Sequence, residues 1–208
     1  MKKTNKKLIS SIILGLMLYT PVTNVYAAQL NQGSIYGGSD NYGNYRTENS
    51  PNVFEYNFGD DSQLKVENTL DNFGVYILNL NSSVEQIIIE NKLDIDLNKS
   101  TNNVGTLRGL IISNGLSDKT IDRKAGGDIT ITSSNATSMT DLVGVDATGG
   151  SNNSILIGDS NIRLEAITSN SDASLTGLYI GAGDGNSITM GEGTIYISGK
   201  IQSDSVFS

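Results

Sequence analysis

The side chains with the most chemical potential are five carboxylates beside short apolar runs: Asp94, Asp96, Asp128, Asp159 and Glu192. Paired acids carry out glycoside hydrolysis, and carboxylate oxygens also hold the Ca²⁺ that a polysaccharide lyase needs. Asp94 and Asp96 alternate with Leu93, Ile95 and Leu97, so the two-residue period of a strand turns both carboxylates to a solvated outer face. The basic residues that would complete a site, Arg108, Arg123 with Lys124, and Arg163, are dispersed. The loop Gly181-Ala182-Gly183-Asp184-Gly185-Asn186 has the glycine-aspartate look of Ca²⁺-binding nonapeptide turns. It does not recur every nine residues, and its counterpart Thr148-Gly149-Gly150-Ser151-Asn152-Asn153 lacks the Asp, so a structural corner is the expected use. Tyr36, Tyr42 and Tyr45 offer contacts to a sugar or a partner surface, but they sit in a segment that reads as an unpacked leader. With His 0 and Cys 0 there is no imidazole base, thiol nucleophile, usual zinc site or disulfide framework. No phosphate-binding loop, dinucleotide fingerprint or catalytic triad spacing occurs. The expectation is a chain with no catalytic, cofactor-binding or metal-ligating residues and no cofactor, and hence not an enzyme.

The first 27 residues read as a secretory signal peptide. Lys2, Lys3, Lys6 and Lys7 form a positive start, Leu8 to Tyr19 an apolar core, and Val25-Tyr26-Ala27 places small residues where the peptidase cuts. The apolar run is too short to cross a bilayer, which takes about 20 residues, and that argues against an uncleaved anchor. Removing the signal leaves 10 basic against 22 acidic residues, a net charge of −12. This charge opposes attraction to nucleic acid or an anionic membrane surface.

Residues 28–52 read as a flexible leader or irregular cap, and 53–208 as stacked strand repeats. Short runs at Val53 to Phe58, Leu64 to Val66, Val75 to Leu80, Val84 to Ile89 and Leu93 to Leu97 alternate at period 2, with Asn, Gly and Ser between them. No apolar pattern of helical period persists in the mature chain. Residues 129–161 lie over 162–194 without a gap at an offset of 33, with nine identities, and a truncated third copy opens at Ile195. Each unit carries three pulses: Ile-x-Ile/Leu, Leu-x-Gly-Val/Leu, and Asn-Ser-Ile-x-Ile/Met-Gly-Asp/Glu. Strands this short bury a face only when equivalents stack from coil to coil, about 4.8 Å apart. The fold expected is all-β, a right-handed parallel β-helix, with Ile129, Ile162 and Ile195 in one interior column. An antiparallel sandwich gives a similar strand spacing, but nothing in it requires a repeat of 33 residues.

A signal peptide followed by acidic, cysteine-free repeats rich in Asn, Ser, Thr and Gly resembles the passenger region of bacterial type V autotransporters. The residues that carry the likeness are 129–197. They include Leu142-Val143-Gly144-Val145 with Leu175-Thr176-Gly177-Leu178, and Asn153-Ser154-Ile155-Leu156-Ile157-Gly158-Asp159 with Asn186-Ser187-Ile188-Thr189-Met190-Gly191-Glu192. The resemblance implies an adhesive or structural passenger at the cell surface, the outer membrane or outside the cell. Its partners would be host or neighbouring-cell surface proteins or glycans, with no nucleic acid, and a C-terminal translocator barrel would be expected in the full-length protein. Nothing after Ile195 has room for that barrel, so the sequence departs from the family there and reads as an N-terminal fragment. If the chain were complete, simple secretion or periplasmic residence would follow instead. The other reading is a secreted polysaccharide lyase or hydrolase on the same scaffold. The cut-off last copy also leaves strand edges open, and the expectation is a marginally stable or oligomer-prone chain.

Overall fold

The computed structural model describes residues 29–30, 35, 42–59, 62–67, 84–99, 106–112, 115–123, 125–136, 141–168, 173–181 and 183–201. The expected signal peptide, the run Val75 to Leu80, Tyr36 and Ala182 lie outside the described residues.

Among the described residues fifteen strands follow one another, with one 3-10 turn at Gly43–Tyr45. They are β1 (Gln29–Leu30), β2 (Arg46–Ser50), β3 (Val53–Tyr56), β4 (Ser62–Glu67), β5 (Gln86–Ile89), β6 (Leu93–Lys99), β7 (Leu107–Ile112) and β8 (Thr120–Asp122). Then come β9 (Ile129–Ala136), β10 (Asp141–Ala147), β11 (Ser154–Leu156), β12 (Ile162–Thr168), β13 (Ser174–Ile180), β14 (Ser187–Thr189) and β15 (Ile195–Ile201). They stack into three sheets, ordered β1-β4-β6-β9-β12-β15, β7-β10-β13 and β2-β3-β5-β8-β11-β14. Every described pairing is parallel except β2 with β3. The chain is therefore a parallel β-solenoid. Three coils, β6-β7-β8, β9-β10-β11 and β12-β13-β14, place a strand in each sheet. A sandwich of hairpins would have paired strands close in sequence and antiparallel.

The interior column expected from the repeat is present and one coil longer: Ile95, Ile129, Ile162 and Ile195 are paired partners on successive strands. The first three are essentially inaccessible, whereas Ile195 is 44% exposed on the last rung. The repeat itself also extends upstream, because Leu107-Arg108-Gly109-Leu110 stands in register with Leu142-Val143-Gly144-Val145. Its partners are 35 residues apart rather than 33, so a gapless comparison at one offset misses it.

The glycine of this pulse has a packing reason. A Cβ on Gly144 would stand 2.5 Å from the Gly177 carbonyl oxygen and 2.7 Å from Ile162 Cγ2, and one on Gly109 would meet Gly144 O and Ile129 Cγ2 at 2.5 and 2.8 Å. Each glycine thus leaves room for the isoleucine that opens the following coil.

The asparagine of the third pulse builds a ladder along the axis. Asn153 Oδ1 accepts the Lys119 backbone N–H at 3.0 Å, and its Nδ2 donates to Leu116 O at 2.8 Å. Asn186, one coil on, accepts from Asn153 N–H at 2.9 Å and donates to Gly150 O at 2.7 Å. Corner backbone groups that no strand can satisfy are paired this way.

At the other end, β2 folds back on β3 through Asn52, whose φ of 73° suits a tight turn. Tyr42 is buried and meets Phe58 edge-on with ring centroids 5.8 Å apart, and Tyr45 lies 5.2 Å from the same ring. Tyr42 is thus packed, as the irregular-cap alternative for residues 28–52 would have it, while Tyr45 is 39% exposed. The antiparallel strand carries Arg46, Thr47, Glu48, Asn49 and Ser50, and this polar strand closes one sheet edge.

Candidate functional site

The carboxylates singled out from sequence are spread along the solenoid axis rather than gathered into a site. Asp94 Oδ1 accepts the Asp128 backbone N–H at 2.9 Å. Asp128 Oδ1 in turn accepts from Asn161 N and Nδ2, both at 3.0 Å, and Asn161 Oδ1 accepts from Thr194 N at 3.2 Å and Oγ1 at 2.9 Å. Asp159 Oδ1 accepts the Glu192 backbone N–H at 2.8 Å. These residues form corner ladders in which each side chain holds the start of the next coil. Asp96 alternates with buried Leu93, Ile95 and Leu97 and is half-buried on the outer face. Among the described residues no group of three or more acids, His or Cys is placed to hold a metal ion.

The Gly181 to Asn186 loop is also built into the stack. The Asp184 carbonyl accepts from Asn152 N–H at 2.9 Å, and a Cβ on Gly183, whose φ is 134°, would collide with Gly150 O at 2.1 Å. That close approach between rungs, not a ligand, accounts for the glycine.

Arg108, Arg123 and Arg163 remain apart, and the first two are engaged in ways their sequence neighbours do not suggest. Arg123 is wholly buried in the position that continues the paired columns Ile89 and Ile157. Its Nη2 donates to Leu93 O at 2.5 Å, Gly126 O at 3.2 Å and Gly127 O at 3.3 Å. Burial lowers its pKa to about 10, opposed by the nearby Asp94 and Asp128 charges, so it stays charged at neutral pH. Arg108 reaches across to Asp146 at 2.6 Å, and Asp146 is 1% exposed. Burial pushes the Asp146 carboxyl above its ordinary value even though Arg108 and Thr148 draw it down.

A concave feature lies on the first sheet. A groove of about 430 Å³ runs over β6, β9, β12 and β15, lined by Asn98, Thr132, Glu165 and Ser198, by Ser133 and Ala166, and by Ile167 and the charged Lys200. Asn98, Thr132, Glu165 and Ser198 are paired partners on four successive rungs, so one outward polar side chain is offered per coil. Beside them runs a second outward column in which Arg163 pairs with Glu165 at 2.6 Å and lies over the Tyr196 ring at 5.1 Å.

Ser133 differs from the rest of the floor. It follows Ile129 and Ile131 at the inward parity, is 97% buried, and its Oγ has no hydrogen-bond partner among the described residues. The register shift between Ala166 and Thr168 interrupts the β9–β12 ladder beside it. Sequence reasoning passed over Ser133. The available signal was a polar residue at an inward position of an Ile-x-Ile-x pattern. The chain matches no protein-family model, no curated protein and no solved structure.

Proposed function

We propose that this chain is a non-enzymatic β-solenoid passenger of the autotransporter kind, exported to the cell surface, where it serves an adhesive or structural role. The observation that carries the reading is the use made of the acids: Asp94, Asp128 and Asp159 each spend a carboxylate oxygen on the backbone of the following coil. Carboxylates fixed one per rung hold an extended scaffold together, whereas acid–base hydrolysis needs two acids converging across one bond. The signal peptide read from the sequence, the missing cysteines and the net charge of −12 that remains once that signal is removed support the same reading. A long stack of short coils also offers wide lateral faces for contact at little cost in chain length.

The test is immunolabelling of intact native cells with antibodies raised against the folded solenoid. Labelling without permeabilisation is expected, and labelling only after permeabilisation would remove the surface assignment. In parallel, the mature chain incubated with polygalacturonate and Ca²⁺ should release nothing. Appearance of unsaturated or reducing ends would favour a lyase or hydrolase instead.

A further inference from the structure

The last described turn of the solenoid consists of β13, β14 and β15, and each of these strands has a described neighbour on one side only. Five of the seven large apolar side chains that stand exposed among the described residues belong to it: Tyr179, Ile180, Ile195, Tyr196 and Ile197. Ile195 and Ile197 continue columns in which Ile129, Ile131, Ile162 and Leu164 are at most 1% exposed, because in those coils the next strand covers them. The backbone of β15 is turned the same way. Ile162 N–H donates to Thr194 O, so the even-numbered residues of β15 face β12, and Ile195, Ile197, Gly199 and Ile201 direct their N–H and C=O groups to the open edge. Such an edge takes up another strand unless something blunts it. The opposite end is blunted: among the described residues the first sheet ends there in β1, two residues long, and the third in the polar, antiparallel β2.

We propose that β15 pairs antiparallel with β15 of a second copy about a two-fold axis through Ser198, joining two solenoids tail to tail in a closed dimer. The strand is self-complementary in that register. Centring on Ser198 pairs all 7 residues, with Ile195 opposite residue 201, Tyr196 opposite Lys200 and Ile197 opposite Gly199. Odd positions meet odd, so the inward apolar face runs on from one copy into the other. Ile197 faces a glycine and keeps its room, and the Lys200 ammonium faces the Tyr196 ring of the second copy. The four residues of each copy that point to the edge lie opposite one another as hydrogen-bonded pairs, for about eight new backbone bonds. A strand of another protein would match this backbone, whereas β15 also matches itself side chain by side chain. A head-to-tail contact would set β15 against the two residues of β1 and leave most of it unpaired, so association stops at two copies. The inference holds wherever the chain resides and does not rest on the passenger reading.

Sedimentation equilibrium of the purified chain from about 1 to about 100 μM should show a reversible monomer–dimer equilibrium with no larger species. Ser198→Cys should give a disulfide-linked dimer in air, because directly opposed residues of a non-hydrogen-bonded pair have Cα atoms about 4.5 Å apart, within disulfide reach. Tyr196→Cys should not, because in this register the two copies of that residue lie about 13 Å apart along the strands. The chain has no other cysteine, so each link is assigned without ambiguity. Gly199→Pro removes an N–H that faces the edge and no bond to β12, so it should weaken the dimer at least about tenfold while leaving the far-UV circular dichroism unchanged. A chain that stays monomeric throughout, a mass that grows past two copies, or cross-linking at 196 as efficient as at 198 would each overturn the proposal. So would a Gly199→Pro variant that dimerises as tightly as the parent.

Discussion

Alanine at Gly144 should damage the solenoid far more than alanine at Gly177, although the two glycines occupy the same place in consecutive repeats. At Gly144 the new Cβ would lie 2.5 Å from a backbone carbonyl oxygen, Gly177 O, and 2.7 Å from Ile162 Cγ2, on a residue 1% exposed. Ordinary contact needs roughly 0.8 Å more on both sides. The strands on either side cannot separate by that much without losing ladder hydrogen bonds. Overpacking of about 1–3 kcal/mol plus one lost hydrogen bond of about 1 kcal/mol gives a cost of about 2–4 kcal/mol. At Gly177 all three nearest atoms belong to the Ile195 side chain, which is 44% exposed and can turn away. There the entropic gain of replacing glycine offsets most of the strain, and the net change should be under about 1 kcal/mol. Thermal melts followed by far-UV circular dichroism give the readout, with about 2–4 °C per kcal/mol for a chain of this size. Gly144→Ala should melt roughly 5–15 °C below the parent, Gly109→Ala should resemble it, and Gly177→Ala should lie within about 4 °C of the parent. Equal shifts at 144 and 177, or a Gly144→Ala variant that melts with the parent, would refute the argument that stacking against the next coil fixes this residue.

The remaining expectations concern buried polar groups. Asn153→Ala removes the acceptor of Lys119 N–H and the donor to Leu116 O, and urea unfolding should show a loss of about 2–4 kcal/mol. Arg123→Met places an apolar chain in line with Ile89 and Ile157 and removes a buried charge, so it should melt at or above the parent. Arg123→Ala leaves a cavity and should fall by about 2–4 kcal/mol. The Asp146 carboxyl, raised by burial, binds its proton more tightly in the native state than in the unfolded one. Its contribution to stability is therefore favourable at low pH and is lost as pH climbs from about 4 through the folded value. The melting difference of Asp146→Asn over the parent should be more positive at pH 7 than at pH 4, and a difference independent of pH would contradict the burial of that charge.

The solenoid was legible in the sequence because its information is periodic. Isoleucine at positions 129, 131, 162, 195 and 197 fixes which strand face is inward, and a recurrence of 33 residues has meaning only if equivalent strands stack. The same reasoning placed Asp94 and Asp96 on the outer face of β6, since a two-residue period decides parity from local order alone. The coil from Leu93 to Asp122 escaped a gapless comparison because each of its corners differs in length by one residue from those that follow, which shifts its partners to offsets of 34 and 35. A corner has no period to reveal such a change.

Only the tertiary structure decided what the polar residues do. Asp94 and Asp128, 34 residues apart, become a hydrogen-bonded step of one ladder, and Asn98, Thr132, Glu165 and Ser198, each on its own strand, become one row beside a groove. Arg123, which in the sequence is one of several dispersed basic residues, occupies the interior, because the column it joins is set by the coils before and after it. The physical reason is that alternation along a strand is a local property of the backbone. Convergence across rungs depends on how every intervening turn is closed, and a hydroxyl such as that of Ser133 acquires meaning only from the atoms that fail to meet it.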